Sequence, residues 1–262
     1  MLDFTKIKEH KHNITSRIIK KPVFVPTAPI NLDLHKPVIV YSDGINHKVI
    51  PLDVMLRYPV VYDTYTDNNV KFPITVSVCP FTLSSNIYFG VYKLTNQTYF
   101  DNIILQDTKD LNLIAVQMFG QLYSWENKNI ITDKIIRRKE VKIMLLRNVI
   151  TKYPDCLYLS FNYNKAKSLI NNINLENTLS YIIEYKSKDV TQTNYKYTLI
   201  TTKNKSHSFD YILSNYDKYF EFVVDDIRDK LGFITPCLLK SWIKIKIKLN
   251  TTPKIKSKII KV

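Results

Sequence analysis

The sequence predicts a β-dominated α+β fold: an antiparallel, strand-rich domain followed by a smaller C-terminal lobe of strands and helix. Three observations carry this. Short runs rich in Val, Ile, Tyr, Phe and Thr recur between turn residues, as in ITVSV and NIYFGV. Helical spacing is confined to a few segments, chiefly PLDVMLRYP and SFDYILSNYDKYFEFVVDDIRDKLG. Hydrophobic residues fill 45% of 262 positions, enough for a core, and the length suits one large domain or two smaller ones.

Residues 1–36 read as a basic arm, with Lys6, Lys8, Lys11, Arg17, Lys20 and Lys21. Pro22, Pro26 and Pro29 forbid a helix there and favour extended chain. Such an arm either binds polyanions or wraps an edge of the core; the apolar VFVP favours wrapping.

Residues 37–125 form the strand-rich domain. KPVIVYSDG runs into a turn where Asp43-Gly44 supplies the positive-φ position, and INHKVIP returns, making a hairpin. PLDVMLRYP holds one or two helical turns between Pro51 and Pro59, with Leu52, Met55 and Leu56 on one face. VVYDTYTDNNVKFPITVSV gives two strands around Asp67-Asn68-Asn69. SNIYFGVYKL and FDNIILQDT continue the meander, and LNLIAVQMFGQLYSW follows.

Residues 126–250 form the C-terminal lobe. KIIRRKEVKIMLLRNVI fits both an amphipathic helix and a strand pair. From Tyr153 the character changes: CLYLSFNYN is strand-like, KAKSLINNI is a short helix, and TLSYIIEYKS and NYKYTLITTK are alternating strands. The long helical segment ends at Gly232, a C′ glycine. KSWIKIKIKL alternates strictly, with Lys244, Lys246 and Lys248 on one face, so it reads as a half-buried strand. Residues 251–262 are a basic tail. No repeat of solenoid period is present.

The chain holds 18 Tyr but 4 Gly, with Ile, Asn and Lys abundant. Those abundant residues have A/T-rich codons, so the composition points to an AT-rich genome, such as those of large DNA viruses of protists. Net charge is +15, which favours polyanions unless codon bias alone supplies the lysines. Cys79, Cys156 and Cys237 lie far apart and fit a reducing compartment. The basic N-terminus has no apolar run of secretory type, and no stretch is long and apolar enough to span a membrane. The expected location is the host cytoplasm or a virion.

Each chemical motif competes with a plainer reading. A nucleophilic Cys79 needs a base or positive field, and His47 is the histidine in the same region; a small buried hydrophobe is the more frequent role of such a cysteine. His10, His12 and His35 lack partners at metal-ligand spacing, and no phosphate-binding glycine loop exists, so no metal or cofactor is expected. Asp63, Asp67, Asp101 and Asp107 read as turn residues first, and Asp225, Asp226 and Asp229 as a solvated face. Nucleic acid or another polyanion has two candidate contacts, Ile136-Arg137-Arg138-Lys139 and the run Lys240, Lys244, Lys246, Lys248, Lys254, Lys256, Lys258 and Lys261. The second equally reads as an edge strand guarded by lysines.

From about Val38 to Gln121 the chain resembles an uncharacterised prokaryotic domain family. Its pattern runs G-x-x-x-A-Y-P, His-Glu-Ile-Val-Asn-Asp-Thr, Tyr-Cys-Pro-Leu-Cys/Thr-Gly, Phe-Gly-Val, Asn-x-x-x-x-Asp and Leu-Trp-Ser-Gln-x-x-Gly. Gly44 and Pro51, Asp63 and Thr64, Cys79 and Pro80, Phe89-Gly90-Val91, Asn102 and Asp107, and Gln117 and Gly120 match in order. Three of the chain's four glycines fall on the pattern. The family's His falls at Tyr58, its Asn at Tyr62, its second Cys or Thr at Thr82, the following Gly at Leu83 and its Trp at Ala115. The resemblance implies an inherited scaffold from which reactive groups have been exchanged.

The expected function is non-enzymatic binding or assembly in a giant DNA virus such as a mimivirus, with virion proteins as partners. The alternatives are a thiol-dependent or ligand-processing enzyme built on Cys79, Asn102, Asp107 and Gln117, and a polyanion-binding module using the C-terminal lysines.

Overall fold

The computed structural model describes residues 2, 4–10, 13–28, 32–127, 130–161, 179–186, 195–201, 232–238 and 259–261, and it is strand-dominated. The chain divides into two compact units, 1–172 and 173–262.

In the first unit the arm contributes three short strands, β1 (Ile7–Glu9), β2 (Ile18–Ile19) and β3 (Phe24–Val25). The expected hairpin follows as β4 (Pro37–Ser42) and β5 (His47–Pro51). Its turn is held by Asp43 Oδ1, which accepts from the amides of Ile45 (3.0 Å) and Asn46 (2.7 Å). Helix α1 (Leu52–Arg57) fills the interval between Pro51 and Pro59 and buries Leu52, Val54, Met55 and Leu56. Strands β6 (Val60–Asp67) and β7 (Val70–Val78) turn through Asn68 and Asn69, both at positive φ (48° and 64°). Two left-handed central residues match the strand twist, which is why asparagines stand there. Next come β8 (Ser85–Phe89), β9 (Tyr92–Tyr99), β10 (Asn102–Asp107), β11 (Leu113–Val116) and β12 (Gln121–Ser124).

The ambiguous segment resolves as strands followed by a helix: β13 (Ile130–Ile135), β14 (Arg138–Glu140), β15 (Lys142–Leu145) and α2 (Leu146–Lys152), then β16 (Leu157–Leu159). A domain boundary was expected near residue 125. Instead β13 pairs with β12, β14 with β8, β15 with β4 and β16 with β5, so the first unit continues past it. The shift in composition at Tyr153 lies nearer the real division.

Three sheets result. Sheet A has the order β1-β9-β10-β11-β12-β13, sheet B β14-β8-β7-β6-β2 and sheet C β15-β4-β5-β16-β3. Sheet B is the middle layer. One of its faces packs on sheet A through a cluster that includes Val60, Cys79 and Tyr88 from one side and Leu94, Ile103, Leu105 and Ala115 from the other. Its opposite face meets sheet C, where Lys48 and Tyr41 bond Asp63. The far face of sheet A, including Ile7 of β1, packs with Leu2 and Phe4 of the arm.

Double coverage explains the stretch ITVSV, where apolar and polar residues alternate as in a half-exposed strand. Ile74 to Val78 are all 0% exposed. The alternation separates two buried faces, one apolar and one hydroxyl-bearing, since successive side chains point to opposite sides.

The arm and the segment 130–145 act as straps. Each runs along one edge of sheet A, then B, then C. Each also drops an isoleucine into the A–B interface as it crosses, Ile14 (2% exposed) and Ile136 (4%). Asn96 fixes the first crossing: its Nδ2 donates to His10 O (3.1 Å) and its Oδ1 accepts from Ile14 N (3.4 Å).

Gly44 and Gly90 adopt positive φ, 95° and 121°. A Cβ on Gly44 would lie 1.8 Å from the Thr66 carbonyl oxygen, so that turn tolerates no side chain. Gly90 donates to Pro73 O (2.8 Å) and accepts from Thr75 Oγ1 (2.8 Å).

The second unit has one described sheet, ordered β19-β17-β18-β20, from β17 (Leu179–Lys186), β18 (Tyr195–Thr201), β19 (Gly232–Leu238) and β20 (Ile259–Lys261). Both expected alternating strands are there, and Gly232 opens a strand. The expected helices at KAKSLINNI and before Gly232, and the strand KSWIKIKIKL, lie outside the described residues.

The strap reading predicts that Ile14→Ala lowers stability by about 3 kcal/mol in urea unfolding, the cost of a core cavity. A loosely attached arm would change it by no more than about 0.5 kcal/mol.

Candidate functional site

Asn102 opens β10 after a two-residue turn in which Phe100 and Asp101 both have positive φ (47° and 65°). Gln117 follows β11 directly. These placements aim both amides at the A–B interface. Asn102 Nδ2 donates to Thr82 Oγ1 and Ser84 Oγ, each at 2.8 Å, and its Oδ1 accepts from Met118 N at 2.9 Å. Gln117 Oε1 accepts from Ser84 Oγ, and its Nε2 donates to Ser77 O (3.1 Å) and Ser84 O (3.0 Å). Asn86 Nδ2 donates to Gln117 O (2.9 Å), which Tyr88 also contacts through its hydroxyl.

Three of the four suggested site residues therefore come together, since Cys79 lies beside Thr82. They come together in a sealed place: Cys79, Thr82, Ser84, Asn86, Asn102 and Gln117 are all 0% exposed. Among the described residues, Ser77 Oγ is the buried side-chain polar atom without a partner. A network this complete matches donors to acceptors and fixes register between sheets; it offers little unused hydrogen-bonding capacity to a substrate.

Cys79 closes the short link after β7. Leu83 N donates to its carbonyl at 2.9 Å, and its thiol donates to Asp101 O at 3.4 Å. Burial pushes the thiol up from its ordinary pKa, and the hydrogen bonds around it offset only part of that. The thiolate that nucleophilic chemistry requires is disfavoured here. His47 serves a different contact, its ring stacked 4.0 Å from that of Tyr153 beside sheet C. Burial, then the Lys142 ammonium, pull its pKa down.

Asp107 departs from the expected cluster. It ends β10 at the opposite end from Asn102, where its Oδ1 accepts from Lys109 N (2.7 Å) and Asp110 N (3.4 Å) in a turn. It faces Tyr92 across the ladder, whose phenol is pushed up to about 12 by burial and then by this carboxylate. The lysines Lys240, Lys244, Lys246, Lys248, Lys254, Lys256 and Lys258 lie outside the described residues.

A second cluster escaped the sequence reading, which took Asp63 for a turn residue. Asp63 sits within β6, because the turn comes four positions later at Asp67. Lys48 Nζ bonds Asp63 (Oδ2 2.7 Å, Oδ1 3.0 Å) and Asp43 (Oδ2 2.8 Å), with these side chains 10–11% exposed. Tyr41 OH donates to Asp63 Oδ2 at 2.7 Å, and Phe24 of the arm lies 4.7 Å from the ammonium. Burial alone would raise the Asp43 carboxyl; the Asn46 amide, Lys48 and the Ile45 amide outweigh it and hold it below its usual value. Burial pushes the Tyr41 phenol well up, and Asp63 adds to this. With the lysine doubly paired and the tyrosine protonated, the cluster ties sheet C to sheet B and lacks a free base.

Among the described residues, no group of three His, Cys, Asp or Glu side chains is arranged to hold a metal ion, and no helix is long and apolar enough to cross a membrane. No family model, curated protein or solved structure matches this chain.

Lys48→Met strips two buried carboxylates of their partner and is expected to cost about 3 kcal/mol in denaturant unfolding. Asp43 has a folded pKa below its unfolded one. Its contribution is therefore present above the unfolded value, near 3.9, and is lost as pH falls through the folded value. A melting-temperature series between about pH 5 and pH 2 should show a steeper acid decline in the wild type than in Asp43→Asn.

Proposed function

We propose that this protein is a non-enzymatic scaffold, acting in binding or assembly and encoded by a large DNA virus with an AT-rich genome. The observation that carries the scaffold reading is the burial of Cys79 within a satisfied amide–hydroxyl network. In this reading Cys79, Asn102 and Gln117, three of the four groups of the enzymatic alternative, help hold two sheets in register instead. The viral part is supported by composition, 18 Tyr and abundant Lys, Asn and Ile against 4 Gly.

Descent from the prokaryotic domain family belongs to the same proposal. Its support is backbone geometry. Gly44, Gly90 and Gly120 all take positive φ, the conformation that makes glycine hard to replace. Leu83, standing where the family pattern has Gly, also takes positive φ (55°) although it is a buried leucine. Such a conformation costs about 1–2 kcal/mol outside glycine, which is readily understood if the turn predates the substitution.

Two measurements test the proposal. Proteomics of purified particles from the source organism should find the chain as a component; its absence there removes the assembly role. In the folded protein, Cys79 should resist an alkylating reagent until denaturant is added. Alkylation at the speed of a free thiol would restore the enzymatic alternative.

A further inference from the structure

Sheet B ends in a row of rings and cations that no role described above employs. Tyr65, Phe72 and Phe89 lie on one face of β6, β7 and β8, in edge-to-face contact at 5.2 and 6.1 Å between centroids. Edge strand β14 and Arg137, the residue just before it, bring two cations to the same face. The Arg137 guanidinium lies 4.2 Å from the Phe89 ring and 5.9 Å from Phe72. Lys139 Nζ lies 4.0 Å from the Tyr65 ring. Arg137 is 56% exposed, and its acidic partner Asp67, 3.7 Å away, is 45% exposed. An exposed pair at that distance holds the guanidinium weakly, so a phosphate can take the carboxylate's place.

From these contacts the geometry points to a binding site for single-stranded nucleic acid. A guanidinium stacked on a ring has its other face available to an unpaired base and its N–H edge to a phosphate. Lys139, two residues along an extended strand and so about 7 Å away, supplies the next cationic contact along the backbone. The ring row fixes both cations in advance, which lowers the entropy lost on binding. A duplex keeps its base faces stacked inside and cannot use the guanidinium plane, so the site favours a single strand. The net charge of +15 brings polyanions to the surface, and the Phe89–Arg137 stack determines where they settle. This site is independent of the scaffold proposal, since it uses neither Cys79 nor the buried amides.

The test is fluorescence anisotropy of a labelled oligothymidylate with the full chain, over a series of salt concentrations. Arg137→Ala combined with Lys139→Ala should weaken binding at least tenfold and lower the salt slope by about 1.4, the share of two phosphate contacts on a single strand. Arg137→Lys keeps the charge but removes the plane, and should also weaken binding severalfold. Circular dichroism of each variant should match the wild type. Equal affinity in the wild type and the double variant would overturn the site. Full affinity in Arg137→Lys, or a duplex of equal length bound as tightly as the single strand, would overturn the stacking.

Discussion

Three stacked sheets present six edges, each a row of amide and carbonyl groups that needs a partner or water. In the first unit all six are formed by strands from two stretches of chain. Strands β1, β2 and β3 lie along one edge of each sheet and β13, β14 and β15 along the other. The order is the same in both: sheet A, then B, then C. Ile14 and Ile136 occupy equivalent places at the first crossing, buried between sheets A and B. Val141, 1% exposed, lies on the second crossing of the later strap. The layers are thus tied together covalently at both margins, and the polar contacts between them work within that frame.

Within the frame, the two interfaces of sheet B are built differently. Toward sheet A the contact combines apolar packing with neutral amides and hydroxyls; toward sheet C it includes Lys48 between Asp43 and Asp63. Both polar clusters are directional where hydrophobic contact is not. A slip of one residue in β7 would exchange Thr75 and Ser77 with Ile74 and Val76, placing hydroxyls against the apolar side. The resemblance of Cys79, Asn102 and Gln117 to an active site follows from the same need, because residues that satisfy each other in a core are of the types that catalysis also uses.

Local features were well legible in the sequence. The Asp43-Gly44 turn, the asparagine turn at 68 and 69, and the helix between Pro51 and Pro59 depend on a few neighbouring residues with fixed dihedral preferences. The burial of Cys79 was also foreseen, from the frequency with which such residues are packed. Layering was not legible. ITVSV has the pattern of a strand with one wet face, and only its neighbours in space show that its hydroxyl-bearing face is buried: Thr75 Oγ1 donates to Gly90 O, and Gln117 lies over the Ser77 carbonyl. The pairing of Lys48 with Asp63 joins strands of different sheets, and nothing near either residue announces it. Asp107 was grouped with Asn102 because both match one segment of the family pattern, yet β10 holds them at its two ends.

The straps also set an order of events during synthesis. Phe24 and Val25 pair with Leu159 and Tyr158, so the last part of the first-made strap waits for the last described strand of its unit to leave the ribosome. Contacts this distant along the chain slow folding and prolong the life of partly formed states. In that interval the far edges of sheets B and C stand open, and the nascent chain is then most in need of a chaperone.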